Sequence, residues 1–168
     1  MAIQNKELHR ISSTAIIYRG DKYLLLRRSL EKKAFPGKWT VPGGGLSVDD
    51  YIDTPKTTHD HWYFALENSL RREIKEETGL EVGKIKYLLD ITFIRPDGVP
   101  VVILSGYCPY KSGEGKLDED NIDFVWATSG EAKKYDLVEG LLEEIEMVEK
   151  VLKGADVEEI KYQRSANL

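Results

Sequence analysis

At 168 residues and 41% hydrophobic content, the chain has apolar material for one domain, residues 1–168, around a single sizeable core, and no repeat or low-complexity stretch divides it. A net charge of −5, with acids and bases interspersed, excludes a broad basic face, so no stable nucleic-acid complex is expected. The single cysteine, Cys108, excludes an internal disulfide. With no signal-like N-terminus and no apolar run long enough to cross a bilayer, the expectation is a soluble cytoplasmic protein without a membrane partner.

From the N-terminus, the β-branched run Ile11 to Tyr18, the turn formers Arg19-Gly20-Asp21-Lys22 and the apolar run Tyr23 to Arg28 predict a hairpin. Ala34 to Lys38 reads as a loop leading to a short strand at Trp39 to Val41. Gly43, Gly44 and Gly45 then allow tight turns that expose carbonyl oxygens. A helix is predicted from near Asp60 or Trp62 to a stop at Gly79. Ile85 to Ile94 and Val99 to Pro109 predict two strands joined by the turn Pro96-Asp97-Gly98. Cys108 falls in the second of these apolar runs and reads as a core residue, not a nucleophile.

Phe124 to Trp126 predicts a short strand, Ser129 a cap on a brief helix, and Asp136 to Leu152 a core-facing helix with apolar residues at Leu137, Leu141, Leu142, Ile145, Val148 and Leu152. Gly154 to Leu168 reads as a short helix or a flexible tail. Strands alternating with two long helices predict the α/β class, a mixed sheet with helices on both faces.

The helix ending at Gly79 carries Glu73, Glu76 and Glu77 at spacings of three and four, where like charges destabilise a helix by roughly 0.2 to 0.5 kcal/mol per pair. Tyr63, Leu66, Leu70 and Ile74 form its apolar stripe. Glu77 falls inside that stripe and Glu73 and Glu76 border it, while Lys75 lies on the watery side. Oxygens at the rim of a core suit a hard divalent cation that also binds substrate phosphates. An ordinary acidic helix paired with Arg72 and Lys75 accounts for the spacing as well, and spacing alone leaves both readings open.

The run Arg72-Glu73-Ile74-Lys75-Glu76-Glu77-Thr78-Gly79-Leu80, preceded by Pro42-Gly43-Gly44-Gly45-Leu46, resembles the signature of the Nudix (MutT-like) hydrolases. That signature is a glycine, five residues, an acid, seven residues, then Arg-Glu-apolar-x-Glu-Glu-x-Gly-apolar. The resemblance takes in Lys38-Trp39-Thr40-Val41-Pro42 and the strand-like segments, from about residue 10 to 150. One departure stands out: counted from Gly44 the first acid is Asp50, where the family carries Glu, and Arg72 follows after 21 residues instead of seven. The surplus is an insertion at about 51–60.

The resemblance implies a Nudix-type α/β/α sandwich and a metal-dependent hydrolase cleaving a diphosphate bond in a nucleoside triphosphate, nucleotide sugar or dinucleoside polyphosphate. It implies Mg2+, or Mn2+ in its place, on Glu73, Glu76, Glu77 and the carbonyl of Gly43, with Arg72 orienting the carboxylates. The catalytic base is either Glu73 or a later acid; the later acids are Glu114, Asp118, Glu119, Asp120 and Asp123, of which Asp120 and Asp123 lie six and three residues before Trp126, and a solvated loop explains that cluster equally well. Gly44, Lys38 and Arg28 are candidate substrate contacts, although adjacent strand residues such as Arg27 and Arg28 point to opposite faces. Trp62, after the insertion, is a candidate lid residue that stacks on a base or sugar, with a plain cap on the core as the default reading. The partner is a small nucleotide; the chain leaves a homodimer open. The alternative is a noncatalytic nucleotide-binding sensor.

Overall fold

In a computed structural model, which describes residues 6–160 and 162, eight strands form one mixed sheet. Strands β1 (Arg10–Arg19) and β2 (Lys22–Arg28) make the expected hairpin. β2 also pairs with β3 (Trp39–Thr40) and β8 (Asn121–Ala127). On its other side β1 runs parallel to β7 (Pro100–Ser112), which pairs with β6 (Lys86–Ile94) and with the short β5 (Glu81–Val82).

Alternation along β1 and β2 sends side chains to two cores. Ala15, Ile17, Leu24 and Leu26 pack with Leu70 and Ile74 of α1 (Ala65–Thr78). Ile16, Tyr23 and Leu25 pack with Leu141, Ile145 and Val148 of α3 (Leu141–Leu152). The sheet is therefore covered on both faces, as expected of the sandwich. Cys108 is fully buried against α1, and burial pushes its thiol up to about 12, which makes it a core group and not a nucleophile at neutral pH.

Several boundaries differ from expectation for local reasons. The acidic helix starts at Ala65, because Phe64 takes a left-handed backbone, φ 62°, that a right-handed helix cannot include; Tyr63 is thus outside the helix and exposed. The glycines form a strand, β4 (Gly43–Gly45), paired with Ser12–Thr14 of β1. A Cβ at Gly43 would run into the Ser13 carbonyl, so only glycine lets the two backbones meet there.

Thr128, not Ser129, caps the brief helix α2 (Ser129–Ala132), through reciprocal bonds with Glu131. The last helix begins at Leu141 after Gly140, φ 87°, while Leu137 reaches the core from a loop that bridges to Trp39. Residues 154–160 form turns without a helix; the remainder of the expected tail, apart from Tyr162, lies outside the described residues. No helix among the described residues is long and apolar enough to cross a membrane.

Candidate active site at the glycine strand

Docking of Leu70 and Ile74 on the sheet sets the rim of α1 against β4. Glu77 Oε2 accepts the Gly43 N–H over 2.9 Å. Glu73 lies directly under Gly44, where a Cβ would sit 2.5 Å from Glu73 Oε1, so the glycine there makes room for the carboxylate. Two of the three acids and the glycine pair thus meet, through α1 and β1 holding β4 between them.

Arg72 organises the remaining charge. Its guanidinium bonds Asp50 Oδ1 over 3.0 and 2.7 Å, Glu73 Oε1 over 2.8 Å and Glu76 Oε2 over 2.7 Å. Asp50 Oδ2 accepts from the Ser47 amide over 2.8 Å and the buried Ser69 hydroxyl over 3.0 Å, and the Asp50 side chain is only 6% exposed. Burial opposes ionisation of Asp50, but those two donors and Arg72 outweigh it and hold its carboxyl below the usual range. Burial likewise works against the Arg72 charge, and the bonds to Asp50 and Glu73 more than restore it. The 21 residues between Asp50 and Arg72 are bridged in space.

Glu77 has the opposite environment. Burial pushes its carboxyl up to about 7, against the pull of the Gly43 N–H, and the charges of Asp118 and Glu73 push it further the same way. Asp118 is therefore the late acid nearest this site. It sits in the loop before β8, where its Oδ1 accepts from the Asp120 amide over 3.1 Å and from Asn121 Nδ2 over 3.0 Å. Asn121 is buried and also hydrogen bonds Glu77.

The two later acids favoured by spacing stand elsewhere. Asp120 pairs with Lys32 over 2.5 Å, and Asp123 lies opposite Arg27 in the β2–β8 register and bonds the Phe124 amide. Spacing before Trp126 does not single out Asp118, whose carboxylate accepts from the Asp120 amide and the Asn121 side chain. The Asp118-x-x-Asn121 pairing, an acid with a side-chain donor three residues on, was the usable signal.

The candidate substrate contacts are engaged in the fold. Lys38 Nζ pairs with Asp136 over 2.7 Å, Arg28 Nε donates to the Ala34 carbonyl over 2.9 Å, and Arg27 Nε to that of Gly37 over 3.3 Å, so these cations brace the loop between β2 and β3. Trp62 donates its indole N–H to the Thr54 carbonyl over 3.0 Å, its ring lies 5.3 Å from that of Tyr51, and Lys56 sits over it at 5.0 Å. It is the small core of the insertion itself.

The sequence model of the NUDIX domain matches residues 8–147. The chain belongs to the Nudix family. It is 27% identical over 132 residues to the nucleoside triphosphatase NudI of Escherichia coli K12, covering 73% of this chain and 84% of that protein. Its fold is similar to a MutT NUDIX hydrolase from Burkholderia pseudomallei, with TM-score 0.66 and 22% identity over 83% of this chain and 98% of that one. It also resembles the NUDIX domain of Shewanella oneidensis NrtR, solved with ADP ribose, with TM-score 0.66 and 18% identity over 87% and 90% of the two chains. As a Nudix hydrolase it is an enzyme of the diphosphate-cleaving kind.

Nudix hydrolases generally use a divalent metal, and the donors here suit one. Glu73, Glu76, Glu77 and Asp118 are all carboxylates, the hard oxygen donors such an ion takes, and the charges of Asp118 and Glu73 add to the burial that raises the Glu77 pKa, a repulsion that a divalent cation would relieve. Among the described residues no three acids, histidines or cysteines converge as a preformed metal centre. Arg72 draws Glu73 and Glu76 onto itself, so ligation requires both side chains to turn off the guanidinium.

Phe64 precedes this Nudix helix at φ 62° with 72% of its surface exposed and no side-chain cap. A left-handed non-glycine residue costs about 1 to 2 kcal/mol, and the exposed ring buries little in return. Phe64→Gly is expected to raise stability by about 1 kcal/mol in urea titration. A loss of stability instead would show that the ring holds the insertion in place.

Proposed function

We propose that this chain is a divalent-metal-dependent hydrolase that cleaves a diphosphate bond of nucleoside triphosphates. The observation that carries this reading is the contact of Glu77 with the Gly43 amide and of Glu73 with Gly44, with Asp118 near enough for its charge to act on Glu77. The likeness to NudI supports the substrate class, with nucleotide sugars and dinucleoside polyphosphates as further members of it.

In this reading Glu73, Glu76 and Glu77, with the Gly43 carbonyl, would hold Mg2+ or Mn2+. The ion would supply charge neutralisation at the phosphoryl oxygens and lower the pKa of a water. The missing side chains of Gly43 and Gly44 let β4 seat against the Ser13 carbonyl and the Glu73 carboxylate, which brings the acids of α1 up to the glycine backbone. Glu73 or Asp118 takes the proton of the attacking water; the charges of both act on Glu77, and they are held by Arg72 and by Asn121 respectively. Arg72, anchored by the buried Asp50, limits how far Glu73 and Glu76 can swing. Substrate contact by Lys38 or Arg28 requires exchange of Asp136 or the Ala34 carbonyl for phosphate.

The test is release of phosphate and pyrophosphate from a panel of nucleoside triphosphates, nucleotide sugars and dinucleoside polyphosphates, with magnesium and with chelator. Turnover of triphosphates that chelator abolishes is expected. Turnover unaffected by chelator removes the metal from the reading. Tight nucleotide binding with no turnover anywhere on the panel replaces the enzyme by a nucleotide sensor.

A further inference from the structure

Glu144 is an acid that the proposed reaction leaves unused. It lies in the first turn of α3, on the face of the sheet opposite α1, and is only 6% exposed. Ser105 Oγ donates to its Oε2 over 2.6 Å. Every fully buried side-chain nitrogen or oxygen among the described residues has a partner. Its second oxygen, without a hydrogen-bond partner among the described residues, is therefore not completely enclosed. Around it α3 presents Leu141, Ile145 and Val148, so the carboxyl stands in an apolar setting that raises its pKa.

The position of this pair relative to the acids of α1 follows from strand register. Ser105 is paired with Thr14 of β1, and Thr14 is paired with Gly43 of β4. Two strand spacings, about 10 Å, thus separate Ser105 from the glycine whose amide holds Glu77. Directly paired side chains share a face, so Thr14, Ile103 and Ile91 lie on the same side of the sheet as Ser105. All three are only partly buried. Together they make a half-apolar floor that runs from the phosphate end of the site to a carboxyl oxygen.

A second carboxylate has no favourable role toward phosphates, but it accepts N–H and O–H donors strongly. We propose that Glu144, held by Ser105, is the hydrogen-bond-accepting end of a nucleoside subsite on the sheet face opposite α1, taking a donor from the base or sugar of a nucleotide whose phosphates lie at Gly43. This rests on the hydrolase reading above. A buried polar group left unpaired by the wrong ligand is the strongest source of discrimination available to such a site, so Glu144 sets which nucleotide is preferred.

The experiment compares full-length wild type, Glu144→Gln and Ser105→Ala in steady-state kinetics on the four ribonucleoside and four deoxyribonucleoside triphosphates, with a thermal melt of each protein. For the preferred nucleotide the expected result in Glu144→Gln is a KM raised about tenfold or more with kcat little changed, and a flattened preference across the panel. Ser105→Ala shifts KM in the same direction and carries the test if Glu144→Gln does not fold. Loss of base preference with the ribose-to-deoxyribose ratio kept assigns the donor to the base; the converse assigns it to a sugar hydroxyl. An unchanged KM pattern in folded variants overturns the subsite while wild-type turnover leaves the hydrolase standing. Equal losses on every nucleotide alongside a lowered melting temperature also overturn it, as a purely structural role. Absence of wild-type turnover on all eight overturns the triphosphatase reading and this proposal together.

Discussion

Glu77→Gln is expected to reduce turnover by roughly 100-fold or more while leaving the fold intact, with a distinctive pH signature when metal is chelated. The amide oxygen of glutamine can still accept the Gly43 N–H that Glu77 accepts at 2.9 Å, so the junction of α1 and β4 survives. What is lost is the negative charge beside Glu73 and Asp118. In chelator the wild-type carboxyl titrates at about 7 in the fold against an ordinary value of 4.5. The folded protein then holds this proton more tightly than the unfolded chain. The stability it contributes is present below about pH 4.5 and is lost as pH rises through about 7. Wild type in chelator should therefore melt progressively lower across that window, the variant should not, and magnesium at pH 8 should restore the wild type alone. Unchanged turnover in Glu77→Gln would remove this residue from the site; parallel pH profiles for the two proteins would show that its carboxyl is not crowded.

Asp50→Ala is the second large effect, and it falls first on the structure. The change strands the Ser69 hydroxyl, which is buried, and the Ser47 amide, and it takes away the anchor of Arg72. Loss of one partner in such a set costs about 1 to 3 kcal/mol per stranded group, and the partial exposure of Arg72 keeps the ion-pair share small. A total loss of about 2 to 4 kcal/mol is expected in urea denaturation, with kcat falling because Arg72 is then free to follow Glu73 and Glu76. Asp50→Asn should recover much of the stability, since an amide oxygen still accepts from Ser69 or Ser47, and less of the activity. A stability change within about 0.5 kcal/mol for Asp50→Ala would mean that Asp50 is not the tie across the insertion.

Residues 10 to 28, the acids of α1 and the core face of α3 were legible because each is a local pattern: alternation, a three-and-four period, a glycine stop. The stripe that gave Leu70 and Ile74 also gave Glu77 within it and Glu73 and Glu76 at its border, since helical angle follows from spacing alone. Less legible were features set by a residue's own environment. Phe64 carries no sequence mark of its left-handed backbone, and so the helix start was placed too early. Spacing favoured Asp120 and Asp123 over Asp118, because which acid faces Glu77 depends on a turn closed by Asn121.

The sequence by itself determined the family, the mixed α/β sandwich and the three glutamates on one helical rim, all of which reside in short runs whose geometry is set by neighbours along the chain. Only the tertiary structure decided which groups those glutamates meet. Asp50 reaches Arg72 over a separation of 22 residues, the Gly43 amide reaches Glu77 over 34, and Glu144 reaches Ser105 over 39. Contacts of that separation are fixed by the register of β4 and β7 on β1 and by the docking of two helices on opposite faces, which no local run of residues encodes.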